Sequence, residues 1–157
     1  MKLIVASTPS GGIGYKNKLP WDTTKKSTKI EGDLFRFRTL TDGGVIVMGR
    51  NTWESLPTKP LPNRIHFVVT SKNIEYTNSC FTIPNLDYIS NFKNAWIIGG
   101  AKLIETNWHI ITEIHLTKTI TEYPCDTFIN LNYIHNMFNL IFVNSKKDHT
   151  YQVWKRE

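Results

Sequence analysis

Apolar runs of four or five residues alternate with glycine- and proline-rich punctuation, and that rhythm predicts strands and helices in turn. Lys2 to Ser7 carries Leu3, Ile4, Val5 and Ala6 without a polar break, as expected of a first strand buried on both faces. From Thr8 to Thr24 the chain reads as a long loop. Pro9, Gly11, Gly12, Gly14 and Pro20 disfavour regular structure there, while Ile13, Leu19 and Trp21 supply apolar anchors. A loop of that length in a compact domain suits a functional lid, fastened at its anchors with a mobile middle.

Thr28 to Thr41 predicts a helix, because Thr28 and Glu31 have capping-box spacing and Ile30, Leu34, Phe37 and Leu40 recur every three or four residues. Gly32 weakens the first turn and makes Asp33 an alternative start. Strands follow at Val45 to Met48, Ile65 to Val69 and Cys80 to Ile83. A short helix runs to Leu56, and another lies near Asn85 to Phe92. Ala95 to Ile98 makes a further central strand, ended by Gly99-Gly100 and followed by a helix to about Trp108. Glu113 to Thr117, Leu140 to Val143 and Tyr151 to Trp154 supply the last strands, the final two paired antiparallel. The expected fold is a single α/β domain over 1–157. A central, mostly parallel mixed sheet with an antiparallel C-terminal edge is flanked by helices.

Composition sharpens this little. With 157 residues, 40% hydrophobic and 20% charged, the chain suits one globular domain and argues against disorder. Cys80 and Cys125 share no short spacing, so a cysteine-ligated metal site is not expected. The amino-terminal apolar stretch is too short for a signal-peptide core, and no run approaches a transmembrane length. A soluble cytoplasmic protein, monomeric and without a membrane partner, is the expectation. A net charge of +6 favours anionic partners. Nucleic acid is a poor fit, because the lysines at 25, 26, 29, 146 and 147 lack interleaved aromatics. They read as solvated surface, with steering of an anionic ligand by Lys25, Lys26 and Lys29 as the alternative.

Candidate chemistry collects at two strand-to-helix junctions, Met48-Gly49-Arg50-Asn51-Thr52 and Ile98-Gly99-Gly100-Ala101-Lys102. Glycines let a phosphate approach the backbone, although a lone Gly-Gly is also an ordinary tight turn. Neither a dinucleotide fingerprint nor a Walker motif is present. Asp33 stands where a helix could carry it to the same cleft as Leu34 and Phe37, or it is simply a first-turn acid. The five histidines form no pattern with a nucleophile, and metal-ligand spacing is absent. One acid beside phosphate sites suits an enzyme whose cofactor supplies the reactivity.

Six segments in order then resemble the dihydrofolate reductases: Ile13 to Trp21; Asp33-Leu34 with Phe37 and Thr41; Val47 to Ser55; Pro60-Leu61-Pro62-Asn63-Arg64; Ile97 to Gly100; and Leu116-Thr117. The resemblance covers residue 2 to about 128 by motif and the remainder by length and strand pattern. It implies reduction of dihydrofolate with NADPH. Asp33 would then bind the pterin 2-amino group and adjacent ring nitrogen, with Thr117 assisting through its hydroxyl and Trp21 holding a water. Ile4, Ala6, Leu34, Phe37, Leu61 and Ile98 would line the substrate cavity, and Arg64 would grip the glutamate α-carboxylate. For NADPH the resemblance implies Ala6, with Ile13 and Gly14 from the lid. It adds Gly49, Arg50, Asn51 and Thr52, then Ser71 with its neighbours Thr70 and Lys72, Arg50 and Ser71 being nearest the 2′-phosphate, and finally Gly99, Gly100, Ala101, Lys102 and Leu103. Gly99-Gly100 matches a glycine pair often joined by a cis peptide.

Two departures stand out. Asp22 to Gly32 is longer than the family's usual connection, and Ile104 stands where many members have a tyrosine. A related pyrimidine or pterin reductase of similar fold is the alternative enzyme, against which Arg64 and Phe37 argue. An RNA-binding protein on the same scaffold is the alternative from outside enzymes.

Overall fold

Among the described residues, β1 (Lys2–Ser7), β3 (Val45–Gly49), β4 (Ile65–Val69), β5 (Cys80–Ile83), β6 (Ala95–Gly99), β7 (Glu113–Thr119), β9 (Asn139–Ser145) and β10 (His149–Lys155) form one eight-stranded sheet. Their order across it is β5-β4-β3-β6-β1-β7-β10-β9. The computed structural model describes residues 1–23, 30, 32–74 and 79–156. Every pairing from β5 to β7 is parallel, and β10 then runs antiparallel to both β7 and β9. The central strands are apolar on both faces because both faces are covered. Leu3, Val47 and Ile97 point into one core cluster, while Ile46, Met48 and Trp96 point into a second on the opposite face.

Four α-helices occur among the described residues: α1 (Asp33–Thr41), α2 (Arg50–Ser55), α3 (Ala101–Thr106) and α4 (Leu131–Met137). Helix α1 starts at Asp33, directly after Gly32 at φ 78°, a left-handed conformation that glycine adopts without the Cβ penalty. The Thr28/Glu31 capping box and the lysines at 25, 26 and 29 lie outside the described residues. Leu40 of α1 and Trp53 of α2 pack on the second cluster, and Ile104 of α3 and Ile134 of α4 are buried in the first. Ile104 is thus a core side chain with no exposure.

Three features depart from the expectation. Within the long loop, Gly12–Gly14 forms a short strand, β2, which pairs antiparallel with β8 (Thr127–Phe128). The proline-rich end of that loop is a 3-10 turn at Pro20–Thr23. Helix α4 was not anticipated, since seven residues give too few apolar repeats to declare a period.

The chain leaves β3 through α2 toward β4, and leaves β6 through α3 across β1 to β7. The neighbouring strands β3 and β6 therefore connect in opposite directions. Such a switch point opens a crevice at the carboxyl ends of the strands, where open α/β sheets bind ligands.

Candidate active site

The acid sits beside this crevice. Asp33 is the first residue of α1, and its Oδ1 accepts a hydrogen bond from Thr117 Oγ1 at 2.8 Å. Thr117 pairs in register with Ala6 of β1, so helix and sheet meet at the carboxyl end of the central strand. Because β1 lies between β6 and β7, Ala6 separates the Asp33–Thr117 couple from the Gly99-Gly100 end of β6. Ile4, Leu61 and Ile98 are partly buried against the second core cluster and make a common apolar wall. Phe37 follows Asp33 by one helical turn. Leu34 of the same helix is 55% exposed. Trp21 is buried, with its ring edge-on to Tyr123 at 6.1 Å between centroids.

Arg64 is held by three of its five N–H donors. Nε donates to Thr41 Oγ1 at 2.8 Å, Nη2 to the Arg38 carbonyl at 2.8 Å, and Nη1 to the Pro62 carbonyl. One donor remains on each Nη, an arrangement suited to a carboxylate taken by both. The Thr41 hydroxyl donates in turn to the Phe37 carbonyl at 2.7 Å, and Thr41 is fully buried. Thr41 occurred in the sequence motif without a role. Its hydroxyl, at hydrogen-bonding distance from a guanidinium on another loop, now supplies one. The loop carrying Leu61 and Arg64 is fixed from below by His66, whose Nε2 accepts from the Leu61 N–H at 2.9 Å while Nδ1 meets the Ser79 carbonyl at 3.2 Å. Both contacts are satisfied by the neutral Nδ1–H tautomer. Burial, the dominant influence, lowers the His66 pKa.

The two glycine junctions come together. A Cβ on Gly99 would lie 3.3 Å from Thr52 Oγ1, one on Gly100 3.5 Å from the same atom, and one on Gly49 3.8 Å from the Gly100 nitrogen. Gly99 has φ 135°, and the Gly99-Gly100 peptide is cis. Register places Gly49 beside Val69, so Arg50 and the segment Thr70-Ser71-Lys72 both leave the same sheet edge. Arg50 makes an exposed ion pair with Glu54 at 3.1 Å, a contact of little energetic weight. Lys102 is the second residue of α3, in the first turn after Gly100. Thr52 stands beside these glycines, and Arg50, Ser71 and Lys102 lie on the segments that leave the same strand ends, a set of donors whose chemistry suits an anionic group.

The loop that follows β1 is stitched to residues 122–129, a segment without a motif of its own. Ser10 donates from its N–H and hydroxyl to Glu122 at 3.1 and 2.7 Å, and the Lys16 N–H donates to Asp126 Oδ2 at 2.9 Å. Backbone bonds join Asp126 to Gly14 and Ile129 to Gly11. The Ser10 hydroxyl holds the Glu122 pKa below the usual carboxylate range, and the Lys16 N–H does the same for Asp126. Acidic residues following a strand carry no sequence signal of such a partner more than a hundred positions away. Among the described residues, no group of three His, Cys, Asp or Glu side chains is placed to hold a metal, and no helix is long and apolar enough to cross a membrane.

The family model "Dihydrofolate reductase" matches residues 1–155. A dihydrofolate reductase type 8 of Escherichia coli is 32% identical, the match covering 98% of this chain and 94% of that protein. A bifunctional dihydrofolate reductase-thymidylate synthase of Paramecium tetraurelia is 37% identical over 83% of this chain, which spans only 28% of that protein. Among solved structures, a dihydrofolate reductase from Enterococcus faecalis complexed with NADP(H) and RAB-propyl superimposes with a TM-score of 0.82 at 22% identity, covering 99% of this chain and 95% of the other. With both the glycine crevice and the Asp33–Thr117 couple in place, the chain belongs to the dihydrofolate reductase family.

Proposed function

We propose that this chain reduces 7,8-dihydrofolate to 5,6,7,8-tetrahydrofolate with NADPH, acting over 1–157 as one cytoplasmic, monomeric, metal-free unit. The observation that carries the reading is the Asp33–Thr117 hydrogen bond, set across Ala6 from the glycine junction. Bound NADPH supplies the hydride, which goes to C6 of the pterin, and N5 takes a proton from solvent. Asp33 accepts the pterin 2-amino and ring N–H groups, which fixes the ring plane; a carboxylate has acceptor sites for these and for Thr117 together. Trp21 holds a water beside the ring. Ile4, Leu34, Phe37, Leu61 and Ile98 exclude bulk water along the pterin and aminobenzoyl faces, and the two open donors of Arg64 take the glutamate α-carboxylate. Ala6, Ile13 and Gly14 border the nicotinamide. Arg50, Thr52, Ser71, Lys72 and Lys102 meet the phosphates, with Gly49, Asn51, Thr70, Gly99, Gly100, Ala101 and Leu103 shaping the cradle.

Purified protein is expected to oxidise NADPH only when dihydrofolate is present, as read by loss of nicotinamide absorbance. Absence of that activity refutes the reading. A ribosylaminopyrimidine turning over faster than dihydrofolate would assign the site to a pyrimidine reductase instead. The open donors of Arg64 argue against this outcome, because such a substrate lacks the carboxylate they suit.

A further inference from the structure

We propose that Arg36 is a positioning residue of the reductase site, acting through Thr117 to set the hydrogen-bond polarity at Asp33. The inference rests on the assignment of Asp33 and Thr117 to the pterin site. Arg36 follows Asp33 by three residues on α1 and shares its helix face. Its Nη1 donates to Thr117 Oγ1 at 3.0 Å, and Thr117 Oγ1 lies 2.8 Å from Asp33 Oδ1. A guanidinium can only donate, and a hydroxyl carries one hydrogen. With Arg36 donating into Thr117, the Thr117 hydrogen is committed to Asp33 Oδ1. The chain of bonds therefore runs one way, and a proton arriving at Asp33 settles on Oδ2 without disturbing it. Without Arg36 the Thr117 hydroxyl is free to rotate, and Oδ1 loses its fixed donor.

The guanidinium is itself held from the sheet. Its carbon lies 4.0 Å from the Tyr151 ring centroid, and Nη2 meets His149 Nε2 at 3.3 Å. His149 is fully buried, with Nδ1 at 2.6 Å from Asp148 Oδ1. The Nδ1–H tautomer donates to Asp148 and leaves Nε2 to accept from Arg36. A planar fork stacked on a ring and bonded on two sides is a geometry that lysine does not reproduce. Arg36 also lines a surface recess of about 500 Å³ with Phe35, Lys146 and Lys147, so small solutes reach it from solvent.

The test compares Arg36→Leu, Thr117→Val and the double variant, with the KM for NADPH as a control on the fold. Each single change is expected to lower kcat/KM for dihydrofolate roughly tenfold, the worth of a hydrogen bond in a charged network. The double variant is expected to be no worse than Thr117→Val alone, with the KM for NADPH unchanged throughout. Millimolar methylguanidinium, entering through the recess, is expected to restore Arg36→Ala while leaving Arg36→Ala in the Thr117→Val background unrescued. If Arg36→Leu does not fold, Arg36→Lys replaces it, with a smaller loss and the same dependence on Thr117. No loss from the Arg36 changes, or an equal loss in both Thr117 backgrounds, overturns the proposal and leaves Arg36 as a tie between α1 and β10. If Thr117→Val and Asp33→Asn both leave turnover intact, the assignment of the site fails, and the role of Arg36 fails with it.

Discussion

On the proposed assignment, Arg64→Leu separates the tail-binding end of the site from its chemical end. The wild-type guanidinium uses three donors on Thr41, Arg38 and Pro62, leaving one on each Nη for a ligand carboxylate. Hydrogen bonds to charged groups contribute about 1.5–3 kcal/mol each when shielded. Arg64 is only half-buried, so solvent screening brings the pair to about 2–3 kcal/mol together, or roughly 30- to 150-fold in affinity. The KM for dihydrofolate is expected to rise by that factor while kcat changes little, because the lost contact is remote from C6 and binds ground and transition states alike. A dihydropterin without the aminobenzoyl-glutamate tail is the decisive comparison, since its kinetics should be the same for variant and wild type. Thr41→Val preserves side-chain shape, leaves the fork two of its three anchors, and should cost about fivefold in the KM for dihydrofolate. The Arg64 change also frees two backbone carbonyls, so some loss of melting temperature is expected, and NADPH affinity serves as the control. Equal losses on the tailed and tail-less substrates would refute the carboxylate role.

Three further outcomes follow from the geometry. Asp33→Asn keeps the side-chain size but replaces an acceptor pair with one donor and one acceptor facing the pterin, so kcat should fall about 10²- to 10⁴-fold while NADPH binding changes little; unchanged single-turnover rates would remove Asp33 from the chemistry. Gly99→Ala puts a Cβ 3.3 Å from Thr52 Oγ1 at φ 135°, so a stability loss of about 1–3 kcal/mol in denaturant titration and weaker NADPH binding are expected, and an unchanged cofactor Kd would detach this cradle from the phosphates. His66 has its pKa lowered by burial from 6.5, so the unfolded chain takes up its proton first as pH drops. Its contribution to stability is complete above pH 6.5 and declines as pH falls below that value, by at most about 1.4 kcal/mol per pH unit. His115, lowered chiefly by burial as well, adds to the same slope. His66→Gln should flatten the acid side of the stability curve measured by urea unfolding, and an unaltered slope would place the titration elsewhere.

The sequence alone locates β3 to within one residue and β4 and β5 to the residue, because β3 is an uninterrupted apolar run, β4 and β5 are short β-branched and aromatic runs each broken by a single polar residue, and all three are bounded by glycine, proline or polar residues. The start of α1 at Asp33 was legible as an alternative to Thr28, since Gly32 is a poor interior helix residue. The glycine junctions were visible for the same kind of local reason. What the linear chain could not state was their adjacency, which depends on β3 and β6 being neighbours although α2, β4 and β5 intervene.

The remaining features were decided by tertiary structure. Strands β2 and β8 are three and two residues long, below any detectable period, and exist only because Gly12 meets Phe128 across the fold. Thr41 and Arg64 are separated along the chain and joined by one hydrogen bond, as are Ser10 and Glu122. Arg36 is the sharpest case. Along the helix it is one more cation three residues after an acid, and its meaning comes from β7 and β10 bringing Thr117, His149 and Tyr151 around it. Backbone periodicity and turn chemistry are local properties that a sequence displays directly. A hydrogen bond between distant side chains depends on sheet order and register, and only the folded chain determines those.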